Sequence, residues 1–383
     1  MDNNIYMDCA ATTPISDEVL QSMLPYLKEE YGNPSSIYDL GVDSAAALQR
    51  ARQQIADVLA CDPASIFFTS GGTESDNWAI IGTTELRKEQ GRHIITTKLE
   101  HHAILHTCEY LEKKGYEVTY LDVDELGMVK MEHLIKALRP DTILVSIMSA
   151  NNEIGTLEPI QQIGRILRGH SAFFHTDAVQ AFGQIPIQPI ELGIDLLSAS
   201  SHKFHGPKGC GFLYMRKDLL LPSFLHGGKQ ESGRRAGTEN VASIVGMGTA
   251  AEIAGKELVK NAQYKQKLRD YMIHRLETEI PYVHLNGSRY RRLPGNVNIS
   301  IPGLDGETLV LMLDSEGICC SSGSACTSGQ TEPSHVLRSI GLDDEVARGA
   351  LRFTLSKNTK RSEVDYTVNK LKEIVQQLRK MHD

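Results

Sequence analysis

The chain has 383 residues, 41% of them hydrophobic and 23% charged, an ordinary globular composition with ample material for a large core. Forty lysines and arginines against 48 aspartates and glutamates leave a net charge of -8, the opposite of the basic surplus of a nucleic-acid binder. No apolar run approaches the roughly 18 residues of a membrane span, Met1 to Cys9 lack the regions of a signal peptide, and seven sparse cysteines read as reduced thiols of a cytoplasmic enzyme.

Short apolar, β-rich runs alternate with longer amphipathic stretches, the pattern of an α/β fold with a mostly parallel sheet. Ile66–Thr69 is predicted as a strand, broken by Ser70-Gly-Gly-Thr73, which opens a helix through Ile81. Strands are also predicted at His93–Thr97, Tyr116–Leu121, Thr142–Met148, Ala172–Thr176 and Leu196–Ser200. Gly211–Arg216 follows Lys203 too closely for a helical crossover and is expected to pair antiparallel. These make about seven strands, a normal sheet. Beyond Gly237 come a long helix from Val241 to about Glu279, a strand at Asn296–Ile301 and a charged amphipathic helix at Ser362–Met381. A large domain is expected over residues 15–257, and a smaller α+β domain over 258–383 joined by residues 1–14. The small-residue run Cys319–Gly329 reads as a mobile loop, about residues 319–333.

Four features carry chemistry. Ser70-Gly-Gly-Thr73 lies between a strand and a helix, where free N–H groups and the positive end of the helix dipole suit an anion, with Gly72 and Thr73 at the turn. The run has no Walker lysine and no G-x-G-x-x-G, and many such turns are glycine-rich for conformation alone. Asp177 and Gln180 follow a strand end; the carboxylate either faces the crevice where parallel sheets bind ligands or caps the next turn. Lys203, flanked by Ser200, His202 and a Gly-Pro turn, is either a Schiff-base lysine or a surface loop lysine. Glu100-His101-His102 sits past another strand end, so that His101 reads as a base, a zinc ligand or a ring stacked on a flat group. An anion cradle, a carboxylate, a lysine and a histidine at comparable strand ends together describe a pyridoxal 5'-phosphate site.

On these residues the sequence resembles the cysteine desulfurases of the NifS/IscS-like group, in the class V aminotransferase family with the aspartate-aminotransferase-like, type I pyridoxal-phosphate fold. The resemblance runs from Asp8-Cys-Ala-Ala-Thr-Thr-Pro14 to Arg352-Phe-Thr-Leu355. Its most specific matches are Thr69–Asn77, Asn151-Asn-Glu-Ile-Gly155, Ser201-His-Lys203, Arg235–Asn240 and Ser321–Thr327, in the family's order.

The resemblance implies that Lys203 forms the Schiff base, Asp177 pairs with the pyridine nitrogen and Gln180 with the phenolic oxygen. His101 would stack on the ring and assist proton transfer, and Thr73, Ser200 and His202 would hold the phosphate. Thr238 would reach in from the partner of a homodimer, and Asn152 and Arg352 would bind substrate, the arginine as a bidentate fork for its carboxylate. Cys326 would take sulfur from L-cysteine as a persulfide and release L-alanine. The sulfur would then pass to an acceptor protein, an iron–sulfur scaffold or an enzyme that thiolates tRNA or cofactors. A thiolate on a mobile segment suits that shuttling, because half the loop spans well over 10 Å at roughly 3.3 Å per residue.

No metal site is expected. Cys319 and Cys320 read as core residues at a strand end, as a resolving pair for Cys326 or as soft metal ligands, and Cys9 as packing. The chain ends at Leu378–Asp383, short of the apolar tail common in scaffold-docking members, which leads us to expect weaker or different docking. An aminotransferase, a β-eliminating lyase or a selenocysteine lyase would share fold and cofactor. A loop cysteine argues against the first, since transamination needs no second nucleophile. A scaffold protein without turnover would be free to lose Lys203, Asp177, His101 and Cys326, all of which are present.

Overall fold

The computed structural model describes residues 4–322 and 333–382. Its centre is a seven-stranded sheet in the order Ile66–Thr69, Gly211–Met215, Leu196–Ser200, Phe173–Asp177, Thr142–Ser146, His93–Thr97, Glu117–Leu121. The last five strands in that order run parallel to one another. Gly211–Met215 is antiparallel to both of its neighbours, as the short connection after Lys203 requires. Helices cover both faces, and most of the strands are buried along their whole length, hence their Ile-, Leu- and Phe-rich runs. The helix after the glycine turn spans Gly72–Leu86, one turn beyond the expected Ile81, because Thr83 and Thr84 are buried against the sheet.

A second sheet of four antiparallel strands runs Ser321–Ser322, Ala350–Thr354, Asn296–Ser300, His284–Leu285. The N-terminal segment joins this part of the molecule: Ile5–Tyr6 pairs parallel with Ile318–Cys319, and Thr354 N donates to Met7 O at 2.7 Å. Two large apolar cores dominate the described residues. One packs beneath the large sheet around Phe174, Phe182 and Phe212, the other around Leu309, Leu351, Phe353 and Val368. The helix Val241–Glu279 serves both, and at 39 residues it is roughly 58 Å long. Ile244, Met247 and Ala251 enter the first core, while Leu268, Met272 and Leu276 enter the second. The division expected near 257/258 thus falls within one continuous helix.

A buried ion pair fixes the loop that precedes this helix. Arg52 reaches both carboxylate oxygens of Glu231, at 2.8 and 3.0 Å, and also Ile66 O. Glu231 accepts in turn from Phe68 N at 2.9 Å, and the guanidinium lies 4.4 Å over the Phe68 ring. With side chains 10% and 3% exposed, neither charge has water to fall back on. Arg52→Ala is expected to destabilise the protein by about 3–5 kcal/mol, because it strands the Glu231 carboxylate. Chemical denaturation of the two proteins side by side measures this.

Candidate active site

The carboxyl ends of the large sheet open on a cavity of about 570 Å³. Gly72, Thr73, His101, Asn152, Asp177, Gln180, Ser200, His202, Lys203 and Arg352 all line it. Thr238 is exposed and lies outside this cavity, and Cys326 lies outside the described residues.

The turn before the Gly72 helix is shaped by absence of side chains. Gly71 has φ +153°, which L side chains rarely adopt. A Cβ at Gly72 would stand 2.7 Å from Val179 Cγ2 and 3.7 Å from Ser200 Cβ, closing the cradle at the helix N-terminus. Glu74 holds the turn from within, accepting from Ser70 N at 2.8 Å and pairing with Arg235 at 2.8 and 3.1 Å. Asp177 ends its strand, and its Oδ1 accepts from Val179 N at 2.8 Å in a tight turn. Lys203 closes a 3₁₀ turn just past Leu196–Ser200, and its Nζ donates to Ala10 O at 2.5 Å and Ala11 O at 2.8 Å. Gln180 Nε2 also reaches Ala10 O, at 3.0 Å.

His101 caps the helix His102–Glu112, its Nδ1 accepting from Ala103 N at 3.1 Å. That bond assigns the ring proton to Nε2. Burial, the Lys203 charge and the neighbouring imidazoles push His101 down to about 4. His202 is likewise pushed to about 4 by burial, Lys203 and Lys208, while its Nδ1 meets Thr12 Oγ1 at 3.1 Å. On the far wall Arg352, 4% exposed, bonds Asp8 Oδ1 at 2.9 Å, Ser321 Oγ at 3.1 Å and Asn152 O at 3.1 Å. Its Nε is buried with no hydrogen-bond partner among the described residues. Asn151 shapes the loop behind it, accepting from Glu153 N and Ile154 N and donating to Leu99 O.

Beneath the cavity lies a polar floor that sequence reasoning missed. Asp76, one turn into the Gly72 helix, lines the cavity and is 1% exposed. His175 Nε2 stands 3.6 Å from its Oδ1, and the imidazole is held by Ser146 Oγ at 2.8 Å and Ser198 Oγ at 3.0 Å. Burial pushes both Asp76 and Asp177 above the usual carboxylate range; Asp76 is raised further by the neighbouring Asp177 and moderated by the Ser198 hydroxyl, whereas Asp177 is moderated by the Val179 N–H and the Lys203 charge. The carbonyls of Ala10 and Ala11 and the Asp8 carboxylate were missed too. The remaining thiols are not poised as nucleophiles: burial raises Cys9 and Cys320 to about 12, and Cys320 packs in the second core.

His101, His202 and His175 are held neutral, His175 pushed by burial to about 3. An unfolded imidazole, near 6.5, takes up a proton that these folded ones refuse, so stability is lost as pH falls from about 6.5 toward 4. His175→Gln, which cannot titrate, is expected to flatten that loss. Urea unfolding at about pH 7 and about pH 5 compares the slopes.

The donor set fits pyridoxal 5'-phosphate: an anion cradle, a lysine, a buried carboxylate, a neutral ring and a second cationic wall. Comparison with known proteins agrees. The aminotransferase class-V family matches residues 5–367. The cysteine desulfurase IscS of Methanosarcina thermophila is 52% identical over 377 residues, covering 98% of this chain and 93% of that protein. Among solved structures, a NifS-like protein superposes with a TM-score of 0.92 at 40% identity, covering 97% of this chain and 99% of its own. SspA in complex with cysteine superposes with a TM-score of 0.82 at 35% identity, covering 93% and 100%. With its mixed sheet, its cradle and its strand-end lysine, the chain belongs to the class-V aminotransferases, pyridoxal-phosphate enzymes of the type I fold, and among them to the cysteine desulfurases.

Proposed function

We propose that this enzyme converts L-cysteine to L-alanine and carries the sulfur on Cys326 as a persulfide for delivery to an acceptor protein of iron–sulfur assembly or thiolation. The observation that carries the reading is the convergence of Lys203, Asp177, His101 and the Gly72–Thr73 cradle on one cavity, with Arg352 on the opposite wall.

Lys203 is the covalent anchor of the cofactor, Asp177 the partner of its ring nitrogen and Gln180 of its phenolic oxygen. Thr73, Ser200 and His202 hold the phosphate around the Gly72 turn, with Thr238 supplied by the second subunit of a homodimer. Once bound, pyridoxal 5'-phosphate supplies an electron sink that weakens bonds at the α and β carbons of an amino acid. The chain does the rest. Arg352, beside Asn152 on the cavity wall, fixes the substrate carboxylate and so orients the substrate. His101 is neutral near pH 7 and bears its proton on Nε2, so it stacks on the ring and assists proton transfer as a hydrogen-bond donor that positions the travelling proton. The Cys326 thiolate attacks the substrate sulfur; the S–S bond forms, the carbon–sulfur bond breaks and the carbon takes a proton. No helix among the described residues is long and apolar enough to cross a membrane, in keeping with a cytoplasmic role.

The deciding experiment is the product balance with L-cysteine and a thiol reductant. Alanine and sulfide in equal amounts support the reading, and pyruvate with ammonia overturns it in favour of β-elimination. Lys203→Ala is expected to remove the cofactor's protein-bound visible absorbance, whereas Cys326→Ala keeps that absorbance and loses sulfur transfer; spectra and a sulfide assay separate the two. Arg352→Ala is expected to weaken substrate binding by about 2 kcal/mol, roughly thirtyfold in KM, since it leaves a carboxylate unpaired. Steady-state kinetics with L-cysteine measures it.

A further inference from the structure

The two carboxylates of the cavity floor are not equivalent. Asp177 is solvated by the protein, through the Val179 N–H at 2.8 Å and the nearby Lys203 charge. Asp76 Oδ1 has no hydrogen-bond partner among the described residues. His175 Nε2 is 3.6 Å from it, too far for a hydrogen bond, and is already engaged by Ser198 Oγ at 3.0 Å. The other titratable groups that face Asp76 are Asp177, on the same strand as His175, and Glu100, past the end of His93–Thr97. Neither supplies a positive charge. His175 is 0% exposed and held neutral, so it supplies none either. A buried carboxylate with one oxygen unpartnered, only the Ser198 hydroxyl as donor and another carboxylate nearby is the least favourable place for a charge in this site.

We propose that Asp76 is a positioning residue that keeps its own proton, so that the floor carries a single carboxylate charge and that charge sits on Asp177. This rests on the reading of Asp177 as the partner of the cofactor's ring nitrogen. Asp76 acts on the reaction through Asp177: a neutral neighbour leaves the ionisation of Asp177 to be decided by the Val179 N–H, Lys203 and the ring nitrogen. Two charges there would repel each other and pull a proton into the floor at the working pH.

The test is infrared difference spectroscopy on the holoenzyme at about pH 8, wild type minus Asp76→Asn. The carbonyl stretch of a protonated carboxyl is expected in the wild type and absent from the variant. Carbon-13 aspartate labelling of the wild type identifies the same band without any variant. Carboxylate stretches alone would overturn the proposal. In the second measurement, the acid limb of the cofactor's visible-band titration stays where the wild type has it in Asp76→Asn, which mimics a neutral aspartic acid. A displacement of more than about one pH unit would show that Asp76 is charged in the wild type, since strongly interacting buried acids couple by about that much. Asp177→Asn separates the two readings: a variant that binds cofactor with an unchanged spectrum overturns the assignment of Asp177, while the infrared band still decides the state of Asp76.

Discussion

The ammonium of Lys203 meets the carbonyls of Ala10 and Ala11, and much of the architecture exists to make that meeting possible. The lysine belongs to the large sheet, at the end of Leu196–Ser200. The carbonyls belong to the N-terminal segment, whose preceding residues are woven into the second core through Ile5–Tyr6 and Met7. One cluster of hydrogen bonds therefore spans the two cores, and Gln180 and His202 add to it on the same segment. The carbonyls satisfy the half-buried ammonium until a ligand claims it.

The rest of the site follows from dividing labour between the cores. The large sheet supplies groups that need fixed directions: the cradle, the Asp177 carboxylate and the His101 ring. The second core supplies Arg352, locked mid-strand between Asn298 and Ser321 and aligned by Asp8. The helix Val241–Glu279 contributes apolar faces to both, so the two walls share one rigid element. A cavity between two cores can change its width without either core repacking.

The sequence was most legible where chemistry depends on side chains at element ends. Lys203, Asp177 and His101 stand beyond apolar runs of strand length, and glycine or proline marks the breaks, so their placement on one edge followed from the pattern of alternation. Gly72 was readable for the same reason, since a strand-to-helix turn advertises itself. The antiparallel Gly211–Met215 was legible from connection length alone. Asp76 was not. It sits inside a helix among polar neighbours, where an aspartate ordinarily faces water, and only the packing of that helix against the Leu196–Ser200 and Phe173–Asp177 strands buries it. Ala10 and Ala11 act through backbone carbonyls, which residue identity does not encode. The Arg352–Asp8 pair joins opposite ends of the chain, beyond the reach of any local spacing. What the sequence did not show is that the two cores, expected to part near residue 257, share one continuous helix, which runs through Gly255 without a break.

Strand direction gives one last consequence. The Ile66–Thr69 strand lies at the edge of the sheet, separated from Leu196–Ser200 by Gly211–Met215, which runs against both. Two reversals in succession cancel, so the edge strand points the same way as the parallel block. Had the intervening strand been parallel to only one neighbour, the glycine turn would open at the opposite rim, a full strand length from Lys203. The anion cradle and the lysine share a rim by parity, and an insertion that added or removed one reversal would part them while leaving every residue of the site in place.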